Sequence, residues 1–230
     1  MITIPVRQIT HSTPRTRILN LDLRGAEFSF AAGQAVMLGL SGSPLRKPYS
    51  IASAPWEVRK SGIMQVLVQI DSGALDPHLE LAAPGTPVDL EGPFGSFGLP
   101  SGNDRPMLFI AGGTGIAPLR SMLIEHLSRP TTQPVSLIYS ARSIEEFAFR
   151  AELTALEAAK RITLYFTITR EERTDWTGRR GRISAELLNE ALPAADAICL
   201  LCGPPQLVSD ASVLLAKLGV REDRILTERY

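Results

Sequence analysis

The sequence predicts two domains of different fold class, an antiparallel β-barrel followed by an α/β domain with a parallel sheet. The chain has 230 residues, which suits one large or two small domains. The first hundred residues contain short apolar runs between turn residues, whereas the remainder alternates predicted strands with predicted helices. A polar segment with proline and glycine, 99–104, separates the two patterns and predicts domains at residues 1–102 and 103–230.

The first domain is predicted to be almost entirely β. Apolar runs at Ala35–Leu40, Ile63–Ile70 and Thr86–Leu90 are bounded by glycine, proline and serine clusters, which is typical of strands joined by tight turns. Helical spacing is almost absent there, apart from a short piece around Pro77–Leu81. These features predict a small antiparallel barrel.

Strands and helices alternate in the second domain. The predicted strands are Met107–Ala111, Val135–Tyr139, Ile162–Ile168, Ala197–Leu201 and Arg224–Thr227, and the predicted helices are Ile116–Leu127, Glu145–Ala158, Ser184–Glu190 and Gln206–Leu218. Such alternation indicates βαβ units and a parallel sheet.

Charge and hydropathy argue against two classes of function. Lysine plus arginine total 24 and aspartate plus glutamate total 24, so the formal net charge is zero. Broad nucleic-acid binding needs a surplus of cations. No run approaches the ~20 apolar residues that span a bilayer, and the N-terminus lacks the pattern of a signal peptide. We expect a soluble cytoplasmic protein that binds neither nucleic acid nor membrane.

The two cysteines, Cys199 and Cys202, lie in a continuous apolar run that predicts a buried strand. A CxxC spacing is compatible with redox or metal chemistry. Residues three apart in a strand, however, point to opposite faces of the sheet. We therefore expect no shared disulfide or metal, and two cysteines are too few for an iron–sulfur cluster.

A glycine-rich segment, Ala111–Leu119 (AGGTGIAPL), follows the first strand of the second domain and opens a helix. Glycines let the backbone approach a ligand closely, and a helix N-terminus offers free N–H groups and a positive dipole end to phosphate. Pro118 suits the first helical turn. The alternative is a tight strand-to-helix turn without a ligand.

Four other segments carry weaker signals when taken singly. They are Leu45–Ser53 (LRKPYSIAS), Glu91–Leu99 (EGPFGSFGL), Leu201–Gln206 (LCGPPQ) and Thr227–Tyr230 (TERY). The first combines cations with an aromatic ring and a hydroxyl, and the third lies where open α/β sheets bind ligands, at the carboxyl end of a strand. Each alone is also compatible with a strand end, a turn or a frayed terminus.

Together and in this order, the five segments resemble the ferredoxin–NADP reductase superfamily over essentially the whole chain. The resemblance implies a six-stranded antiparallel flavin-binding barrel, a Rossmann-like NAD(P)-binding domain and no iron–sulfur domain. It also implies an enzyme that transfers hydride between nicotinamide and N5 of FAD. Single electrons would then pass to a separate carrier such as ferredoxin or flavodoxin.

The resemblance assigns flavin contacts to the first domain. Residues Lys47–Ser50 stand at the family's R-x-Y-S/T motif, with Tyr49 against the isoalloxazine and Ser50 hydrogen-bonding near N5. The family's arginine is a lysine here, with Arg46 one residue earlier, and a lysine point charge does not equal the planar arginine fork.

A second flavin segment, Ser72–Leu79, resembles the helix start that faces the flavin pyrophosphate. Asp76 stands where the family has serine or threonine, and its charge leaves FMN as the alternative to FAD. We expect His78 to be a surface residue. The flavin residues implied are Arg46, Lys47, Pro48, Tyr49, Ser50, Val68, Gly73, Leu75 and Asp76.

The resemblance places the nicotinamide nucleotide in the second domain, with its pyrophosphate on the GGTGIAP segment. Cys202 would lie beside the nicotinamide, Glu228 would orient it and relay protons, and Tyr230 would stack on the flavin as a movable lid. The implied binding residues are Gly112, Gly113, Thr114, Gly115, Pro118, Cys202, Gly203, Pro204 and Tyr230, and the implied catalytic residues are Ser50, Cys202, Glu228 and Tyr230.

Arginines near strand ends favour NADP over NAD slightly. Arg142 follows the second predicted strand of this domain, Arg170 follows the third, and Arg179–Arg182 lies downstream. Such side chains can bind a 2′-phosphate. A solvated basic loop or a docking patch for an acidic protein are the alternatives.

Three other functions stay open on sequence grounds. A flavin reductase of the same superfamily would release reduced flavin, although Tyr230 as a lid argues against an open flavin site. An electron-supplying component of an oxygenase is another possibility. A non-enzymatic subunit without tight flavin binding belongs to a different class, and Lys47 and Asp76 are the features that keep it open.

Overall fold

The computed structural model describes residues 1–70, 79, 82–102, 104–170 and 176–229. The chain divides into two compact units, one of Met1–Leu99 with Arg120–Arg129 and one of Pro100–Leu119 with Pro130–Tyr230. Among the described residues, no helix is long and apolar enough to cross a membrane.

Six described strands of the first unit form an antiparallel sheet that closes on itself. They are β1 (Ile2–Thr13), β2 (Thr16–Asp22), β3 (Ala35–Leu40), β4 (Lys47–Ser50), β5 (Ile63–Gln69) and β6 (Pro87–Phe94), in the order β4-β3-β6-β1-β2-β5. A bridge between Ile51 and Val66 joins the two ends of this order, and the Ala52 N–H donates to the Gln65 carbonyl at 2.8 Å. The predicted six-stranded antiparallel barrel is confirmed.

Apolar side chains fill the barrel, because alternate residues of each strand point inward. The innermost include Val6, Leu21, Leu38, Val66 and Leu90, each at most 1% exposed. This closed core holds β4 in place, and β4 carries the predicted flavin motif.

Helix α1 (Pro55–Ser61) interrupts the β unit, so the expectation of almost no helix in this region was wrong here. Pro55 occupies the first turn, where its missing N–H costs nothing. The Glu57 carboxylate accepts the Ala54 N–H at 2.7 Å, and Gly62 ends the helix in the left-handed conformation with φ 72°. Seven residues are too few for helical periodicity to stand out in a sequence.

The second unit is a parallel α/β sheet, as predicted. Its described strands are β7 (Met107–Gly112), β8 (Val135–Ala141), β9 (Thr163–Ile168), β10 (Arg179–Arg180), β11 (Ile198–Gly203) and β12 (Ile225–Arg229), in the order β10-β9-β8-β7-β11-β12. The helices are α2 (Ile116–Leu127), which belongs to the first unit from Arg120 onward, α3 (Arg150–Ala158), α4 (Ala185–Ala191) and α5 (Pro205–Lys217). The direction of strand order reverses between β7 and β11, and such a switch point is where open sheets bind ligands.

Helix α3 begins at Arg150, five residues later than the sequence predicts. A short 3-10 turn covers Ile144–Glu146, and Phe149 adopts a left-handed conformation with φ 57°. Phe147 and Ala148 are 3% and 1% exposed, so burial of this segment against the sheet replaces the first predicted helical turn. Of the piece predicted around 77–81, only Leu79 is described, and it is helical and buried.

Candidate functional site

The carboxyl end of β7 leads into a turn that suits a phosphate anion. Residues Gly113–Gly115 form a single 3-10 turn, and α2 follows directly. Gly113 is exposed and Thr114 is half-buried. The first N–H groups of a helix have no partner within it, so this turn presents backbone donors together with the positive end of a helix dipole.

Close backbone packing explains the glycines around this turn. A Cβ on Gly115 would lie 2.3 Å from the carbonyl oxygen of Cys202, and a Cβ on Gly112 would lie 2.7 Å from the Leu207 side chain. A Cβ on Gly203 would lie 3.1 Å from the Gly112 Cα atom. The glycines therefore let the ends of β7 and β11 pack closely, and this packing holds the Gly113–Gly115 turn beside the end of β11. We call Gly112, Gly115 and Gly203 the glycine cradle.

A thiol and a carboxyl group meet beside the cradle. The register of β11 and β12 places Cys202 opposite Glu228, and the Cys202 Sγ–H donates to Glu228 Oε2 over 3.8 Å. Burial and the nearby carboxylate raise the pKa of the Cys202 thiol far above its usual range. Burial also raises the pKa of Glu228. The site thus carries a thiol that stays neutral and a carboxyl group that keeps its proton to a higher pH than usual.

Arginines collect at the neighbouring strand ends. Arg142 follows β8 and Arg170 follows β9; both are exposed, and the Arg170 N–H donates to the Arg142 carbonyl at 3.0 Å. The structure therefore brings these two predicted residues together. Arg179 differs, because its Nη2 lies 2.6 Å from both carboxylate oxygens of Glu190. The charge of Arg179 is thus already balanced.

Strand β4 presents the predicted flavin motif on two faces. Lys47 pairs with Leu38 and Tyr49 pairs with Val36. Residues two apart share a face, so Lys47 and Tyr49 lie on one face of the strand, with Ser50 on the other. Tyr49 is 6% exposed and packs in the barrel core, whereas Lys47 and Ser50 are half-buried.

Two further flavin candidates differ in exposure. Pro48 is exposed, as a ligand contact requires. Val68 is fully buried in the barrel core. The flavin contact predicted for Val68 stays a prediction.

Carboxylates hold Arg46 on the barrel. Its Nη2 lies 3.2 Å from Asp89 Oδ2, and its Nη1 lies 3.7 Å from Glu91 Oε1. Asp89 also accepts the Thr3 hydroxyl at 2.7 Å and the Gly42 N–H at 3.3 Å. The hydrogen bond from Thr3, with smaller effects from Gly42 and Arg46, lowers the pKa of Asp89 to about 2. Arg46 thus faces two carboxylates, which left no signal near Arg46 in the sequence because they lie on β6.

Several predicted site residues lie outside the described part of the chain. They are Gly73, Leu75, Asp76, His78 and Tyr230. The roles predicted for them stay predictions.

Comparison with known proteins defines the class. The oxidoreductase FAD-binding domain family matches residues 3–98, and the oxidoreductase NAD-binding domain family matches residues 109–212. The chain belongs to the ferredoxin–NADP reductase superfamily of NAD(P)H:flavin oxidoreductases, as its sequence predicts.

Individual relatives cover most of the chain. It is 34% identical over 216 residues to ferredoxin–NADP reductase B of Sorangium cellulosum, with 90% of this chain and 87% of that protein covered. It is 30% identical to oxidoreductase NAD-binding domain-containing protein 1 of Danio rerio, with 98% and 90% covered. The structure of the cytochrome P450 reductase GcoB of Amycolatopsis superposes with a TM-score of 0.85 at 26% identity, over 99% of this chain and 68% of that one.

Proposed function

We propose that this protein oxidises NADPH and passes the electrons singly to a separate carrier of the ferredoxin or flavodoxin type. One observation carries the proposal: the glycine cradle at the sheet's switch point lies directly beside the Cys202–Glu228 pair. The likeness to a ferredoxin–NADP reductase supports the choice of carrier. Bound FAD supplies the exchange between two-electron and one-electron chemistry.

The second unit would bind and orient the nucleotide. The N–H groups of Gly113–Gly115 would hold the pyrophosphate. The neutral Cys202 thiol would pack beside the nicotinamide ring without a competing charge. Glu228, whose pKa burial raises, would hold or release a proton at its carboxyl group near the ring.

The first unit would bind FAD through β4. We assign the phosphate contact to Lys47, which is half-buried on β4 at the family's arginine position. The Ser50 hydroxyl is half-buried and would orient the reacting part of the flavin. These assignments follow the family motif residue by residue.

The preference for NADP rests on Arg142 and Arg170. Both are exposed at neighbouring strand ends, where two guanidinium groups suit a 2′-phosphate. Replacing both with alanine should lower kcat/KM for NADPH about 100-fold, as expected for two charge-assisted hydrogen bonds, and leave kcat/KM for NADH unchanged. Arg221→Ala is the control, because Arg221 pairs with Asp223 just before the amino end of β12, whereas Arg142 and Arg170 follow the carboxyl ends of their strands. Equal losses with both nucleotides would contradict the assignment.

A reconstituted electron-transfer assay tests the carrier. The FAD-loaded protein would be mixed with NADPH, cytochrome c and a purified ferredoxin or flavodoxin. Cytochrome c reduction should depend on the carrier and saturate as carrier concentration rises. Reduction of free flavin at an equal rate, with no stimulation by either carrier, would instead identify a flavin reductase.

A role as the reductase component of an oxygenase is the second candidate. The likeness to a cytochrome P450 reductase supports it, although this chain covers only 68% of that protein. Direct reduction of a cytochrome P450 in the same assay, without ferredoxin or flavodoxin, would favour this candidate.

A further inference from the structure

A buried tyrosine donates a hydrogen bond to the Gly113–Gly115 turn. Tyr139, in β8, is 0% exposed. Its hydroxyl donates to the Gly113 carbonyl at 3.0 Å and accepts the Ala148 N–H at 3.2 Å. One hydroxyl thus links the turn after β7 to the segment before α3.

Neighbouring rings fix the position of that hydroxyl. The Phe147 ring meets the Tyr139 ring edge-on at 5.1 Å between centroids, and the Phe166 ring lies 6.2 Å away. Phe147 is itself only 3% exposed. Because close-packed rings have little freedom, the Tyr139 hydroxyl is a rigid donor.

A fixed Gly113 carbonyl fixes the next N–H group. In a planar trans peptide the carbonyl and the N–H point in opposite directions. The Gly113 carbonyl accepts two hydrogen bonds, one from the Ile116 N–H and one from Tyr139. The Thr114 N–H, which shares that peptide plane, therefore points away from the buried tyrosine.

We propose that Tyr139 is a positioning residue for the nucleotide pyrophosphate. It holds the Gly113–Thr114 peptide so that the Thr114 N–H faces the ligand before the ligand arrives. This inference rests on the proposed assignment of Gly113–Gly115 to the pyrophosphate. Tyr139 itself contacts no nucleotide.

Calorimetric titration of Tyr139→Phe with NADP⁺ and NAD⁺ tests the proposal. This variant keeps the ring and removes only the hydroxyl. The Kd of the preferred nucleotide should rise about fivefold, the usual effect of one neutral hydrogen bond, with unchanged stoichiometry. With ferricyanide as acceptor, KM for the nucleotide should rise in parallel while kcat stays constant.

Two further variants separate positioning from stability. Tyr165→Phe is the matched control, because the Tyr165 hydroxyl donates to the Glu190 carbonyl at 3.4 Å and does not contact the turn; its Kd should equal that of the parent. Phe147→Leu keeps the Tyr139 hydroxyl but loosens its ring, so its Kd should rise by less than that of Tyr139→Phe.

The possible outcomes are distinct. An unchanged Kd in Tyr139→Phe, whether stoichiometry is full or reduced, would overturn the proposal, because a purely structural role reduces the folded fraction and leaves the affinity intact. A parent protein that binds neither nucleotide would overturn the nucleotide assignment itself, and this inference with it.

Discussion

The two units build their candidate cofactor sites from different parts of the chain. In the second unit the site is mostly backbone: a Cβ on Gly115 would collide with the Cys202 carbonyl oxygen, and Gly112 and Gly203 are also tightly packed. In the first unit the site is mostly side chains on β4, where a lysine occupies the family's arginine position. A site built from closely packed backbone leaves no room for a side chain, so it favours glycine. A side-chain site depends on charge and hydrogen bonding, which several residue types supply.

The difference predicts unequal sensitivity to mutation. A single methyl group added in the glycine cradle should weaken nucleotide binding strongly, whereas conservative changes on β4 should change flavin binding only a few-fold. Substitutions in the two sites test this contrast, and the largest effect is expected in the glycine cradle.

Gly115→Ala should weaken nucleotide binding by about 100-fold, the effect of displacing a binding group by roughly 1 Å. Its Cβ would lie 2.3 Å from the Cys202 carbonyl oxygen, so the turn must move. FAD content should stay at the parent level. Gly219→Ala is the control: it has φ 90° and no atom within 4 Å of a new Cβ, so it should lose about 1–2 kcal/mol of stability and no affinity. Titration calorimetry with NADP⁺ measures the affinity of both variants. Equal affinities would contradict the role of the glycine cradle in nucleotide binding.

Ser50→Ala should slow anaerobic flavin reduction by NADPH about 100-fold, as removal of one hydrogen bond to a reacting centre does. FAD should remain bound, because Ser50 is one of several contacts implied on β4. Stopped-flow absorbance measures the rate. Ser61→Ala is a matched control, since that hydroxyl caps α1 by donating to the Glu57 carbonyl. A variant with the parent's reduction rate would exclude this role for Ser50.

Substitutions of Lys47 should change the FAD affinity in opposite directions, depending on the side chain introduced. Lys47→Ala should raise the Kd for FAD about tenfold, as loss of a charge-assisted hydrogen bond does, whereas Lys47→Arg should lower it a few-fold because a guanidinium binds phosphate with two parallel bonds. Quenching of FAD fluorescence measures both. Arg46→Ala should change the Kd less than Lys47→Ala; the reverse order would return the phosphate contact to Arg46.

Glu228→Gln should change the pH dependence of stability slightly. Burial raises the pKa of Glu228 in the folded state above its unfolded value. The folded protein therefore binds the proton more tightly, and the stabilisation from this group is complete below the unfolded pKa and is lost as pH rises through the folded pKa. The glutamine variant should be as stable as the parent at low pH and more stable above that range. Denaturant unfolding across pH measures the difference, and parallel curves would show that Glu228 does not titrate abnormally.

Much of the fold follows from local sequence. The bounds predicted for Ala35–Leu40 and Ile116–Leu127 agree with β3 and α2, because glycine, serine and proline mark where each element stops. Helix α1 escaped prediction because it is only two turns long. The start of α3 was misplaced because burial of Phe147 overrides the helical pattern.

The site was predictable where chemistry is tied to contiguous residues. The glycine segment is one such stretch, since strand, turn and helix follow one another along the chain. Contacts between distant residues left no local signal. Asp89 and Arg46 are 43 residues apart, and Tyr139 lies 26 residues from Gly113. Only the folded sheet brings these partners together.

Anaerobic titration of the purified, FAD-supplemented protein with NADPH and NADH tests the central claim most directly. We predict that the protein takes up FAD, that the bound flavin absorbance bleaches on addition of nucleotide, and that NADPH is the better reductant. A protein that takes up no FAD, or whose bound FAD stays oxidised with both nucleotides, would contradict the assignment as a reductase.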